Sequence, residues 1–136
     1  MSASVLALRA AIQTRLQEDA ALTALIGPGR IHDEAPRAMR GLYIVHGDVD
    51  VRDWSTGSDN GCEQDLGLAV WAGESSSARQ ALEAAALLVA SLDDAPLAPA
   101  GHRLINLRWR SSRLARDAAT GLACVTLRFR AVTENL

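Results

Sequence analysis

Leu42-Tyr43-Ile44-Val45-His46-Gly47-Asp48-Val49-Asp50-Val51-Arg52 is the stretch on which the fold turns. Its first half is a continuous apolar run of strand-forming residues bounded by Gly41 and Gly47. Its second half alternates valine with charge, the mark of a strand that continues with one wet face. A dense turn cluster follows, Ser55-Thr56-Gly57-Ser58-Asp59-Asn60-Gly61. Beyond it Gln64, Leu66, Leu68 and Val70 alternate with Asp65, Gly67, Ala69 and Trp71, giving a second strand. The pair reads as a long antiparallel hairpin whose polar tip projects from the body.

Upstream, Val5, Leu8, Ile12 and Leu16 recur at helical spacing, so residues 4–19 read as an amphipathic helix that Ser4 caps. Leu22, Leu25 and Ile26 extend its apolar content up to Gly27-Pro28-Gly29, and a short crossing then runs through Arg30-Ile31-His32-Asp33 to Pro36. Downstream, Ser75-Ser76-Ser77 opens a second helix with the stripe Ala81, Leu82, Ala85, Leu88, Val89 and Leu92, ended by Asp93-Asp94 and Pro96. Two closing strands are expected near residues 104–110 and 122–132, separated by a polar stretch. In the first, Ile105, Leu107 and Trp109 share the buried face, with Arg108 and Arg110 opposite. In the last, Val125, Leu127, Phe129 and Ala131 are buried, with Arg128 and Arg130 opposite. The expectation is a single α+β domain over residues 1–136, in the order α-β-β-α-β-β. Its mainly antiparallel four-stranded sheet carries two helices on one face.

The 136 residues are 49% hydrophobic and 22% charged, which suits one globular core and excludes a disordered chain. No apolar run approaches a membrane span, and residues 1–5 lack the charge and apolar stretch of a signal peptide. Cys62 and Cys124 are too few for a disulfide framework and read as two buried thiols of a reducing compartment. All 14 basic residues are arginine. The absence of lysine removes the phosphate-loop lysine, Schiff-base chemistry and the Asp/Glu-x-Lys nuclease core together. Charge is also uneven: residues 1–100 hold seven arginines against fourteen acids, and residues 101–136 hold seven against two. An acidic front and a basic back suit head-to-tail or ring association, or contact with nucleic acid.

Candidate chemistry is sparse. Asp48, Asp50 and Asp53 miss calcium-loop spacing because Arg52 stands where a ligand is needed. His32, His46 and His102 lie far apart, and the two cysteines form no C-x-x-C pair, so no metal is implied. No serine sits in a G-x-S-x-G elbow, and no cofactor or catalytic set is expected. The residues singled out are contact residues. Arg108, Arg110, Arg128 and Arg130 would form one basic patch on paired final strands, and Trp54 is the expected anchor of the hairpin tip. With Trp109 and Phe129 turned inward, a stacking platform for single-stranded nucleic acid is disfavoured.

The segments together resemble a family, the tail terminator proteins of long-tailed phages and gene transfer agents. The resemblance rests on Gly29-Arg30-Ile31-His32-Asp33 with Pro36, then Leu42-Tyr43-Ile44-Val45 ending at Gly47. It continues through Val70-Trp71 at the end of the hairpin, the helix that follows, and Thr126-Leu127-Arg128-Phe129-Arg130. It covers nearly the whole chain, with Gly41-Leu42 standing where the family often has a proline before the tyrosine. It implies a structural protein, made and assembled in the bacterial cytoplasm and located at the head-proximal end of a virion or gene-transfer-agent tail. Such a protein forms a hexameric ring that stops tube growth, contacts the tail tube protein and the head connector, and lets DNA pass without reading it. A head-side connector stopper or adaptor is the nearest alternative, and a small cytoplasmic nucleic-acid-binding module a further one.

Overall fold

The computed structural model describes residues 2–136, so Met1 of the expected 1–136 unit lies outside the described residues. Three helices, α1 (Ser2–Gln17), α2 (Ala20–Ile26) and α3 (Ala78–Leu92), accompany five strands. The strands are β1 (Ile31–His32), β2 (Leu42–Asp53), β3 (Gly61–Ala72), β4 (His102–Arg116) and β5 (Ala123–Asn135). They form one sheet in the order β1-β2-β3-β5-β4. All neighbours are antiparallel except β1, which runs parallel to β2. The α+β class and the antiparallel core of four long strands match the sequence reading; the order and the counts need correction.

The expected single N-terminal helix is two helices. The chain breaks after Gln17, and Asp19 restarts it by accepting a hydrogen bond from the Leu22 N–H at 3.0 Å. The first helix begins before Ser4, which is buried inside it rather than capping it. Helix α2 ends at Gly27, whose φ of +92° favours a residue without a side chain. The crossing after it contains the fifth strand: Ile31 pairs with Ile44 and His32 with Val45.

Helix α3 opens where the serine run placed it. The Ser77 hydroxyl accepts from the Gln80 N–H, and the Gln80 side chain accepts from the Ser77 N–H. Ala81, Ala85, Leu88 and Leu92 are buried as expected, but Leu82 faces solvent and Ala84 takes its place in the core. Leu8, Ile12 and Leu16 of α1 pack with them onto Leu66, Leu68, Val70, Leu127 and Phe129, so the helices cover one face of the sheet. Arg15 donates to the Ser91 carbonyl at 3.1 Å and ties α1 to α3.

The β2–β3 hairpin does not stand out from the body. Strand β3 is paired with β2 on one side and with β5 along its whole length on the other, so only residues 54–60 run past the sheet. A bulge between His46 and Val49 keeps Val49 and Val51 on the helix side after the apolar run ends. The last two strands are longer than their apolar cores suggested. The supposed polar separator at residues 111–116 is a continuation of β4, hydrogen-bonded to β5 down to Arg116↔Ala123. Cys62 and Cys124 are half-buried rather than buried, and both are free.

Candidate interaction surfaces

Two bulges in β4, between Leu104 and Asn106 and between Trp109 and Ser111, break the alternation that the sequence shows. Leu107 is buried, but Ile105 points to solvent. Trp109 pairs with Phe129 on the helix side, yet it is 42% exposed because it lies on the border strand, where α3 has just ended at Leu92. Its indole N–H donates to the Ser112 hydroxyl at 2.9 Å. The expected burial of Trp109 is therefore overturned, while Phe129 is fully enclosed.

The same bulges redistribute the four arginines. Arg108 and Arg130 are Cα partners, Arg128 lies two residues along β5, and Arg110 is the extra residue of a bulge, out of register with the others. Their charges are not pooled. Arg130 donates through Nε to Glu63 at 2.6 Å, and Glu63 is shared with Arg52, whose guanidinium also reaches Asp65 at 2.6 Å. These pairs hold the Glu63 carboxyl below its ordinary pKa, Arg52 more than Arg130. Arg108 turns to Asp93, which also accepts the Trp109 backbone N–H at 2.9 Å. That backbone bond first, and Arg108 second, lower the Asp93 pKa. Arg128 lies over Gly67, where a Cβ would come within 2.5 Å of its guanidinium, and it reaches the Asp48 carbonyl. The Arg110 side chain makes no hydrogen bond or ion pair with any described residue, and neither does that of Arg113, which the sequence reading passed over.

The face of the sheet away from the helices thus has a charged end, at Arg52, Glu63, Asp65 and Arg130, and an aromatic end at which Tyr43 is buried. At the aromatic end Tyr43 stacks on Trp71 with centroids 6.4 Å apart and planes 12° apart, and His32 meets Tyr43 edge-on. Burial, then the neighbouring Cys124, raises the Tyr43 pKa. Trp54 is 44% exposed at the foot of the β2–β3 turn, where its backbone N–H donates to the Gly61 carbonyl at 2.9 Å.

One histidine is deeply placed. His46 on β2 is buried under α1, with Nε2 2.9 Å from Gln13 Oε1, and Gln13 also donates to the Ile31 carbonyl. Burial first, and Arg9 second, lower its pKa to about 4, with Asp33 opposing. His46 is therefore neutral near pH 7, and its place between two elements makes it a packing group. No cluster of three or more His, Cys, Asp or Glu suited to a metal ion occurs among the described residues. No helix among them is long and apolar enough to cross a membrane.

A sheet with its helices on one face and ion-paired, partly aromatic side chains on the other makes this a small α+β module. The chain belongs to the tail completion protein gp17 family, which it matches over residues 10–134. Among solved structures it is similar to a chain of the virion of a native gene transfer agent (GTA) particle, at 30% identity and a TM-score of 0.86. That likeness covers 97% of this chain and 98% of the other. No curated protein sequence matches. The resemblance read from the sequence thus holds at the level of the family. The chain is a structural component of the virion tail, and its contacts are with other virion components.

Proposed function

We propose that this chain is the subunit of a ring, six copies in all, that caps the head-proximal end of the tail tube and ends its growth. The ring joins the tube protein below to the head connector above, and DNA passes through it without sequence recognition. The whole chain acts as one such terminator domain, without catalysis. The observation that carries this reading is the end-to-end likeness to a chain of a gene transfer agent virion. The lopsided charge supports it, because a closed ring brings two different sides of each subunit together. Trp54, Arg110 and Arg128 serve as contact residues toward neighbours, whereas Arg108 and Arg130 shape the surface through Asp93 and Glu63.

Removing the gene from a particle-producing strain tests the reading. Tail tubes of uncontrolled length, left without heads, are expected. Tubes of normal length beside unjoined, DNA-leaking heads would replace the terminator with a head-side stopper. Particles of normal shape and infectivity or transfer would overturn both.

A further inference from the structure

The two borders of the sheet are open over stretches of similar length and carry opposite charge. On one border, β4 is engaged near its middle, where the Asp94 N–H donates to the Leu107 carbonyl and Asp93 accepts from Trp109. Beyond that point residues 110–116 are exposed on both faces and bring Arg110, Arg113 and Arg116. On the other border, β1 covers β2 only at Ile44 and Val45, and beyond Gly47, whose carbonyl accepts from Arg9 at 3.0 Å, the distal half has no neighbouring strand on that side among the described residues. That half brings Asp48 and Asp50, whose carboxylates have no partner among the described residues; its arginine, Arg52, is neutralised by Glu63 and Asp65, and Asp33 stands nearby, 3.9 Å from Arg9.

We propose that the β4 border of one copy docks on the distal β2 border of the next copy, so that the sheets continue from subunit to subunit. This inference rests on the ring reading and names its interface. Both faces of the two borders match. On the helix side, Leu114 is 44% exposed and would meet Val49 and Val51, which are only half-buried in the lone chain. On the uncovered side, Arg113 would meet Asp50. Open strand borders invite pairing with any other strand, and charge decides which pairing survives. Two β4 borders repel each other, as do two β2 borders; only β4 against β2 brings opposite charges together. Such a contact is head-to-tail and closes into a ring if the rotation allows.

The test is a charge exchange in assembled particles. Arg110→Asp with Arg113→Asp makes both borders acidic; Asp48→Arg with Asp50→Arg makes both basic. All four side chains are exposed, so each purified variant is expected to keep the wild-type circular dichroism spectrum and melting temperature. Each alone should lower the fraction of joined particles at least about tenfold. Co-expressing the two, or combining all four substitutions in one chain, should restore joining, because acidic β4 then meets basic β2. Normal joining by each variant alone, or no recovery on exchange, overturns the border assignment. If the wild-type chain is not arranged as a ring in the particle, by copy number and electron microscopy, the ring reading itself falls.

Discussion

Arg108 and Arg130 stand directly opposite each other across the β4–β5 ladder, yet each gives its charge to a different carboxylate, Asp93 and Glu63 respectively. Like charges placed face to face in a sheet repel, and this pair is tolerated because the two guanidinium groups are drawn apart. Arg108 reaches over the border toward the end of α3, while Arg130 lies across β3. Asp93 and Glu63 are thereby structural groups.

Glu63→Gln should lower the melting temperature at pH 7. The Glu63 pKa is depressed in the fold, so its stabilisation is present above the ordinary carboxylate pKa and fades as pH falls through the depressed value. The gap between wild type and variant should therefore close at strongly acid pH. A gap that stays constant with pH would mean the two arginines do not favour the ionised form.

Acidification should weaken the fold through His46 before the carboxylates titrate. Its folded pKa of about 4 lies below the ordinary 6.5, so its contribution is complete above pH 6.5 and is lost as pH falls toward 4. The loss expected by pH 5 is about 2 kcal/mol. Urea unfolding at pH 7.5 and pH 5 measures it, and His46→Asn, which keeps a polar group beside Gln13, should flatten the difference.

Two glycines should respond differently to alanine. A Cβ at Gly73 would strike the carbonyls of Met39 and Gly41, the latter at 2.7 Å, in backbone that cannot easily move. Gly73→Ala should cost about 1–3 kcal/mol. At Gly67 the obstacle is the end of the Arg128 side chain, which can swing away, so Gly67→Ala should stay within about 0.5 kcal/mol of wild type. Denaturant midpoints decide the comparison.

Trp54 and the turn beyond it should matter for assembly and not for folding. Deleting residues 55–60, or Trp54→Ala, is expected to shift the melting temperature little, since the residues involved are exposed. Joined particles should fall roughly tenfold or more if Trp54 anchors a contact, the scale on which a central aromatic contributes. Unchanged joining would leave the turn as a mere connection.

The sequence made legible what repeats along it. Leu66, Leu68 and Val70, and Val125, Leu127 and Phe129, keep strict alternation because β3 and β5 are central and one face is dry. The spacing of Leu8, Ile12 and Leu16 likewise survives as one buried stripe. What failed was decided by local exceptions. Asp19 restarts a helix within an apolar pattern that continues on both sides of it. Strand β1 has two residues, too few for any period. The bulges take Ile105 and Arg110 out of the alternation that the sequence shows, whereas Trp109 keeps the helix-side place read for it and is exposed because β4 is the border strand. Past Trp109, a border strand needs no apolar side, and residues 111–116 carry no signal of being a strand. Among the residues proposed as contacts, Trp54 and Arg110 are visible in the sequence as solvent-side groups. The unpartnered state of Asp48, Asp50 and Arg113 depends on the strand order, which a linear reading does not contain.

Strand order also governs when the sheet can close. Strand β3 lies beside β5, with Ala72 joined to Ala123 and Gly61 to Glu134, while α3 and β4 intervene along the chain. The β2–β3 hairpin is a local contact and forms early, but its inner border waits, apolar and unsatisfied, until β5 arrives. A chain cut short during synthesis holds that border open and is prone to sticking to its neighbours. Only a chain that carries β5 therefore completes the sheet, with β3 enclosed on both sides.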